Sequence, residues 1–140
     1  MRYAALDNLI ALCGERELIQ LTDRAEPPTG QVDVDRVNEA LDSASAEIDS
    51  FVGVLYALPL AETPPFLKDI CADLARYRLY PDPTDIVVSR YKAAIERLTS
   101  IAKGVSLIPG ASGKSLATRD DTVMTSGPAR RLSRDSMAGY

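Results

Sequence analysis

"DVDRVNEALDSASAEIDSFVGVL", Asp33–Leu55, is the stretch that decides the fold. Val34, Val37, Leu41, Ala44, Ile48, Phe51 and Leu55 recur at alternating steps of three and four. That spacing lays one apolar stripe along a long helix. Asp33 and Asp35 stand at its start, where carboxylates meet the positive end of the helix dipole. Ala40, Ser43, Ala44, Ser45 and Ala46 make its middle narrow, which predicts a neighbouring helix at close range.

The chain downstream, "YALPLAETPPFLKDICADLARYRLY" (Tyr56–Tyr80), breaks on prolines and begins again. Thr63 is a suitable N-cap with Pro64 at the first helical position. Leu67, Ile70, Leu74 and Tyr77 form the next stripe, and Pro81 and Pro83 stop it. Asp82 is then placed to cap a third helix, with Pro83 at its first position. Val87, Tyr91, Ala94, Leu98 and Ile101 step by four and three to Gly104. Upstream, Leu6, Leu9, Ile10 and Cys13, then Leu18, Ile19 and Leu21, predict two short helices broken at Gly14. A left-handed residue there would close the first of them. TDRAEPPTGQ reads as a loop. The expectation is an all-α domain over residues 1–103, with three main helices and a short helical N-terminus.

Beyond Gly104 the composition changes. Large apolar groups become few, and Gly, Ser, Ala and Thr dominate. Residues 1–103 carry 11 basic and 17 acidic side chains, net −6, whereas residues 104–140 carry 5 and 3, net +2. Such a tail cannot bury enough surface to fold alone. It is either disordered or an extended segment ordered by a partner. Val105, Leu107 and Ile108 in "VSLIP", and Val123 and Met124 in "DTVMTS", suit addition to another protein's sheet edge. Arg130, Arg131 and Arg134 suit contact with an acidic surface or DNA.

The totals exclude several chemistries. The 140 residues contain no histidine, so the commonest general base and metal ligand is missing. Cys13 and Cys71 have no companions that would make a zinc site. They read as small buried apolar residues in a reducing compartment. The N-terminus has no signal-peptide pattern, and no apolar run reaches membrane-span length, so an intracellular, soluble product is expected. PGASGKS ends like a phosphate-binding loop, but Ile108 stands where its first glycine belongs. Asp33 and Asp35 begin like a calcium loop, but Val37 occupies the third ligand position. Asp69, Asp73, Glu47 and Asp49 read as solvated carboxylates paired with Arg76, Arg78 or Arg97. No catalytic, cofactor-binding or metal-binding residue emerges, and an enzyme is not expected. Tyr56, Tyr77, Arg78, Tyr80, Arg90 and Tyr91 have the composition of a protein interface. A nucleic-acid face is the competing reading, and the acidic total weighs against it.

The chain also resembles the small neck proteins of Mu-like phages and prophages, head–tail connector (head-completion adaptor) proteins of long-tailed phages. The likeness runs from residue 2 to residue 104. It is carried by Tyr3-Ala4, Leu6-Asp7-Asn8-Leu9, Gly14-Glu15, Glu17-Leu18 and Leu21-Thr22-Asp23. It continues in "ALDSASAEIDSFVGVLYALPL", "PPFLKDICADLARYRLY" and "RYKAAIERLTSIAKG". Ala5 departs from the family's helix-capping threonine, and Asn8 from its usual second aspartate. The resemblance implies a virion protein at the head–tail junction, made in the host cytoplasm. It implies a dodecameric ring with the portal protein above and a tail-side neck or tail-terminator protein below. Genomic double-stranded DNA would pass through without sequence-specific binding, and no membrane or cofactor would be involved. The alternative is a small helical regulatory or DNA-binding protein of a prophage.

Overall fold

The computed structural model describes residues 1–111 and residue 113. Two short helices, α1 (Leu6–Cys13) and α2 (Glu15–Thr22), precede three longer ones, α3 (Val34–Val52), α4 (Pro65–Leu79) and α5 (Asp85–Ala102). The described part is all-α. Its one extended pairing is an isolated antiparallel bridge between Tyr56 and Gly113.

The central stripe folds as expected and is trimmed at both ends. Val37, Leu41, Ala44, Ile48 and Val52 are fully buried, whereas Val34 is 46% exposed. Phe51 is only half-buried, and Leu55 lies beyond the helix. A strict seven-residue repeat drifts by ~20° per heptad on a straight helix, so the inward position passes from 51 to 52. Of the small residues, Ala40, Ala44 and Ser45 face inward, while Ser43 and Ala46 are exposed. They allow α4 to come close with its own small side chains, Cys71, Ala72 and Ala75, also buried. Helices α3, α4 and α5 all pack on one another, with α3 against α4 the most extensive pair.

Caps set the helix boundaries. Asp33 accepts from the Asp35 and Arg36 N–H groups at 3.1 and 3.3 Å. Gly14, at φ 86°, ends α1 and starts α2 with no turn to spare. Helix α4 begins one residue later than expected: Pro64 is the N-cap and Pro65 the first helical residue. A proline disfavours helical backbone in the residue before it, and Pro64 is accordingly extended at ψ 145°. Helix α5 has Thr84, not Asp82, at its N-cap position, without a side-chain capping bond, and Asp85 stands in its first turn as expected.

Two buried polar residues tie elements together. Thr22 donates to the Leu18 carbonyl at 2.7 Å and accepts from the Asp33 N–H at 3.0 Å, closing the α2–α3 loop. Ser45 accepts from the Tyr3 N–H at 3.2 Å and touches the Cys71 sulfur at 3.5 Å. The N-terminal strand of chain thereby lies along α3. Arg2 completes the attachment through Asp42 and Asn38.

The departure at Ala5 has a local consequence. Asn8 accepts from the Ala5 N–H at 2.9 Å, but alanine returns no side-chain bond. Ala5 is exposed and extended, at φ −122° and ψ 175°, as an N-cap should be. Ala5→Thr is therefore expected to stabilise the chain by about 1 kcal/mol. Thermal unfolding should rise by about 4 °C, and an unchanged midpoint would refute the capping argument.

Candidate interaction surface

The tyrosines and arginines singled out from the sequence separate into three clusters and one outlier. Tyr77 and Tyr91 stack, their ring centroids 4.0 Å apart and planes 17° from parallel. Glu47 of α3 sits beside this stack and joins it to Arg78, an ion pair, and to the Tyr91 hydroxyl at 3.5 Å. Burial, followed by the Glu47 charge, raises the Tyr91 hydroxyl above its ordinary 10.0.

Arg90 pairs separately with Asp73 at 2.8 Å, joining α5 to α4. Tyr80 belongs to the third cluster. Its hydroxyl donates to Glu17 of α2, which also receives Arg76 through three contacts of 2.9 to 3.2 Å. Burial alone would lower the Arg76 guanidinium, but the Glu17 carboxylate outweighs it and raises it.

Tyr56 is the outlier. It is buried at the opposite end of α4, where its hydroxyl accepts from the Ile108 N–H at 3.0 Å. Ile108, assigned from composition to the tail, is only 3% exposed and packs in the core; Val105 and Leu107 beside it are 78% and 75% exposed. Val123, Met124, Arg130, Arg131 and Arg134 lie outside the described residues, as do Lys114 and Ser115 of the loop-like motif.

The carboxylates expected as surface pairs find partly different arginines. Glu47 takes Arg78, Asp73 takes Arg90, and Asp49 accepts from the Tyr3 hydroxyl at 2.6 Å. Arg97 instead lies over the Phe66 ring, 4.5 Å from its centroid. Among the described residues, no three acidic or cysteine side chains are grouped to hold a metal ion. No described helix is long and apolar enough to cross a membrane. Cys71 is buried and Cys13 half-buried, both as free thiols, and burial raises both above 9.0.

These shifts predict how stability depends on pH. Burial and then Asp49 hold the Tyr3 hydroxyl far above its ordinary 10.0. The folded chain keeps protons that the unfolded chain releases first. The associated stability is complete below the unfolded values and is lost as pH rises above them. The melting temperature is expected to fall from about pH 9 upward, where unfolded thiols and then phenols ionise. Tyr3→Phe should flatten that fall in melts taken between about pH 8 and pH 11. An identical slope in both proteins would refute the assignment to Tyr3.

The geometry defines a small all-helical protein whose charged and aromatic clusters brace its helices at one end of the bundle. A known family covers nearly all of it: the family described as bacteriophage Mu, Gp36, matches residues 3–126. The Mu-like prophage FluMu protein gp36 of Haemophilus influenzae is 34% identical over 114 residues, covering 81% of this chain and 77% of that relative. Gene product J of Escherichia phage Mu is 30% identical over 119 residues, covering 84% and 83%. The chain belongs to the Mu Gp36 family and is a Mu-like phage protein.

Sequence reasoning missed Glu17, and it read Glu47 and Asp73 only as solvated carboxylates with arginine partners: Arg78 is indeed the partner of Glu47, whereas Asp73 takes Arg90. Glu17 lies 63 residues before Tyr80 and Glu47 lies 31 before Arg78, so no local spacing announces them.

Proposed function

We infer that the chain is a structural subunit of the phage particle, a head–tail connector in a dodecameric ring. It joins the portal to the tail-side neck or terminator protein and extends the channel through which the genome passes. Its work is assembly and not catalysis. The observation that carries this reading is a cross-braced helical body with a net charge of −6 over residues 1–103. Acidic side chains at a channel wall repel phosphates, so duplex DNA slides without adhering. Membership of a Mu phage family supports the same reading. So does the exposed apolar pair Val105 and Leu107, held at a fixed place by buried Ile108 and available to a portal or neck partner.

Cryo-electron microscopy of virions, or of the chain mixed with its cognate portal ring, tests it. The expected result is a ring of small helical subunits at the portal's lower face. Virions without the protein, and portal rings without added density, would refute the connector reading. Salt-dependent duplex binding by the isolated chain in that case would favour the prophage regulator.

A further inference from the structure

Two unpartnered features lie at the same end of the bundle, where α2 and α4 finish and α3 and α5 begin. The first is a depression of about 260 Å³ between α2, α3 and α4. Leu21, Ala40 and Leu79 line it as apolar surface, and the exposed arginines Arg24, Arg36 and Arg78 line it too, beside Glu39 and Ser43. Arg24 makes no ion pair among the described residues. Arg36 pairs with Asp33 at 3.3 Å through Nε, and Arg78 with Glu47 through one terminal nitrogen. A guanidinium has five N–H donors, so both keep donors free.

The second feature is a projection. Ile86 is 70% exposed and stands off the buried stripe that begins at Val87. Asp82 and Asp85 flank it, both exposed and neither in an ion pair among the described residues. Pro81 and Pro83 restrict the backbone of the turn that carries them, so little ordering entropy is lost when it docks. The apolar centre edged by carboxylates thus lies on α5 and the turn before it, and the depression edged by guanidiniums lies between α2, α3 and α4.

We propose that Ile86 of one copy seats in the Leu21–Ala40–Leu79 depression of the next, with Asp82 and Asp85 against Arg24, Arg36 and Arg78. This pairing rests on the ring reading above and names the faces that close it. The contact is heterologous, since projection and depression are different surfaces, and rotation carries such a contact into a ring. Both features sit at one level of the bundle, as a ring without axial rise requires. Charge complementarity favours a second copy as the occupant, since three arginines line the depression and the carboxylates of Asp82 and Asp85 have no ion-pair partner among the described residues.

Two full-length variants test the proposal. Asp82→Lys with Asp85→Lys spoils the projection and leaves the depression. Arg24→Glu with Arg36→Glu spoils the depression and leaves the projection. Circular-dichroism melts check that each folds. In sedimentation velocity at low salt, the unaltered chain is expected to self-associate and each variant to stay monomeric. A mixture of the two variants should recover association, because one native pair of faces remains and the other pair is charge-reversed on both sides. Ile86→Ser should weaken self-association of the otherwise unaltered chain by tenfold or more, in keeping with an anchor residue worth over ~1.4 kcal/mol. A mixture that stays monomeric, an unaltered chain that does so, or variants that assemble normally would each overturn the proposal. Duplex-DNA binding lost in the arginine variant while assembly persists would also overturn it, assigning the depression to phosphate. A portal-bound ring joined through other faces would sink this pairing alone and leave the connector reading standing.

Discussion

Leu41→Ala is expected to lower the unfolding free energy by about 3 kcal/mol, the largest loss from any single truncation considered for this body. Leu41 is 0% exposed at the middle of α3, the helix that touches α1, α4 and α5. Truncation removes the transfer energy of the lost carbons and leaves a cavity whose cost depends on how far the walls collapse. Here collapse is resisted. Ala44 and Ser45 on α3, and Cys71 and Ala75 on α4, are already buried, so small side chains hold the pair at close range. Domains of this kind are stable by only ~5–15 kcal/mol, so the variant should unfold at visibly lower denaturant with an unchanged slope. Val34→Ala on the same helix is the control. Val34 is 46% exposed, and its loss should cost under about 0.5 kcal/mol. Near-equal costs for the two would mean that the stripe does not centre on Leu41.

The same stripe explains what could be read in advance. Periodicity locates α3, α4 and α5 because each buries one face, and side-chain spacing along a helix is a local property. Gly14 could be assigned as a cap for the same reason, since a cap acts within one turn, whereas Asp33 was legible only as a carboxylate at the helix start and proves to be its N-cap. The start of α4 slipped by a residue because Pro65 constrains Pro64, a rule that competes with proline's liking for the first helical position. Ile108 was hidden differently. Val105 and Leu107 beside it are just as apolar yet exposed, so nothing local singles out Ile108, whose N–H reaches the Tyr56 hydroxyl across 52 residues. The candidate surface was the least legible part. Tyr77, Arg78 and Tyr91 could be named from their types. Glu47, the partner of Arg78 and Tyr91, looked like any solvated acid until α3 was laid across α4 and α5.

Arg76→Met is expected to cost about 2 kcal/mol, between the value of an exposed ion pair and that of a buried one. Arg76 and Glu17 keep side-chain exposures of 16% and 22%, so water screens them only in part. Methionine retains much of the packing volume, which isolates the loss of charge. Glu17 would then be left half-buried, with the Tyr80 hydroxyl as its remaining donor. Replacing both partners, Arg76→Met with Glu17→Leu, should cost less than the two single changes added together, because no stranded charge remains. A coupling of about 1 kcal/mol or more in that cycle would make Glu17 the clamp that fixes the α1–α2 unit to α4. The depression beside α2 depends on that clamp, since Leu21 reaches it only while α2 is held down. Arg76→Met should therefore also weaken self-association at temperatures where the chain is still folded. Additive costs and unaltered assembly would show instead that Leu9 and Leu18, both 0% exposed, suffice to hold the N-terminal helices.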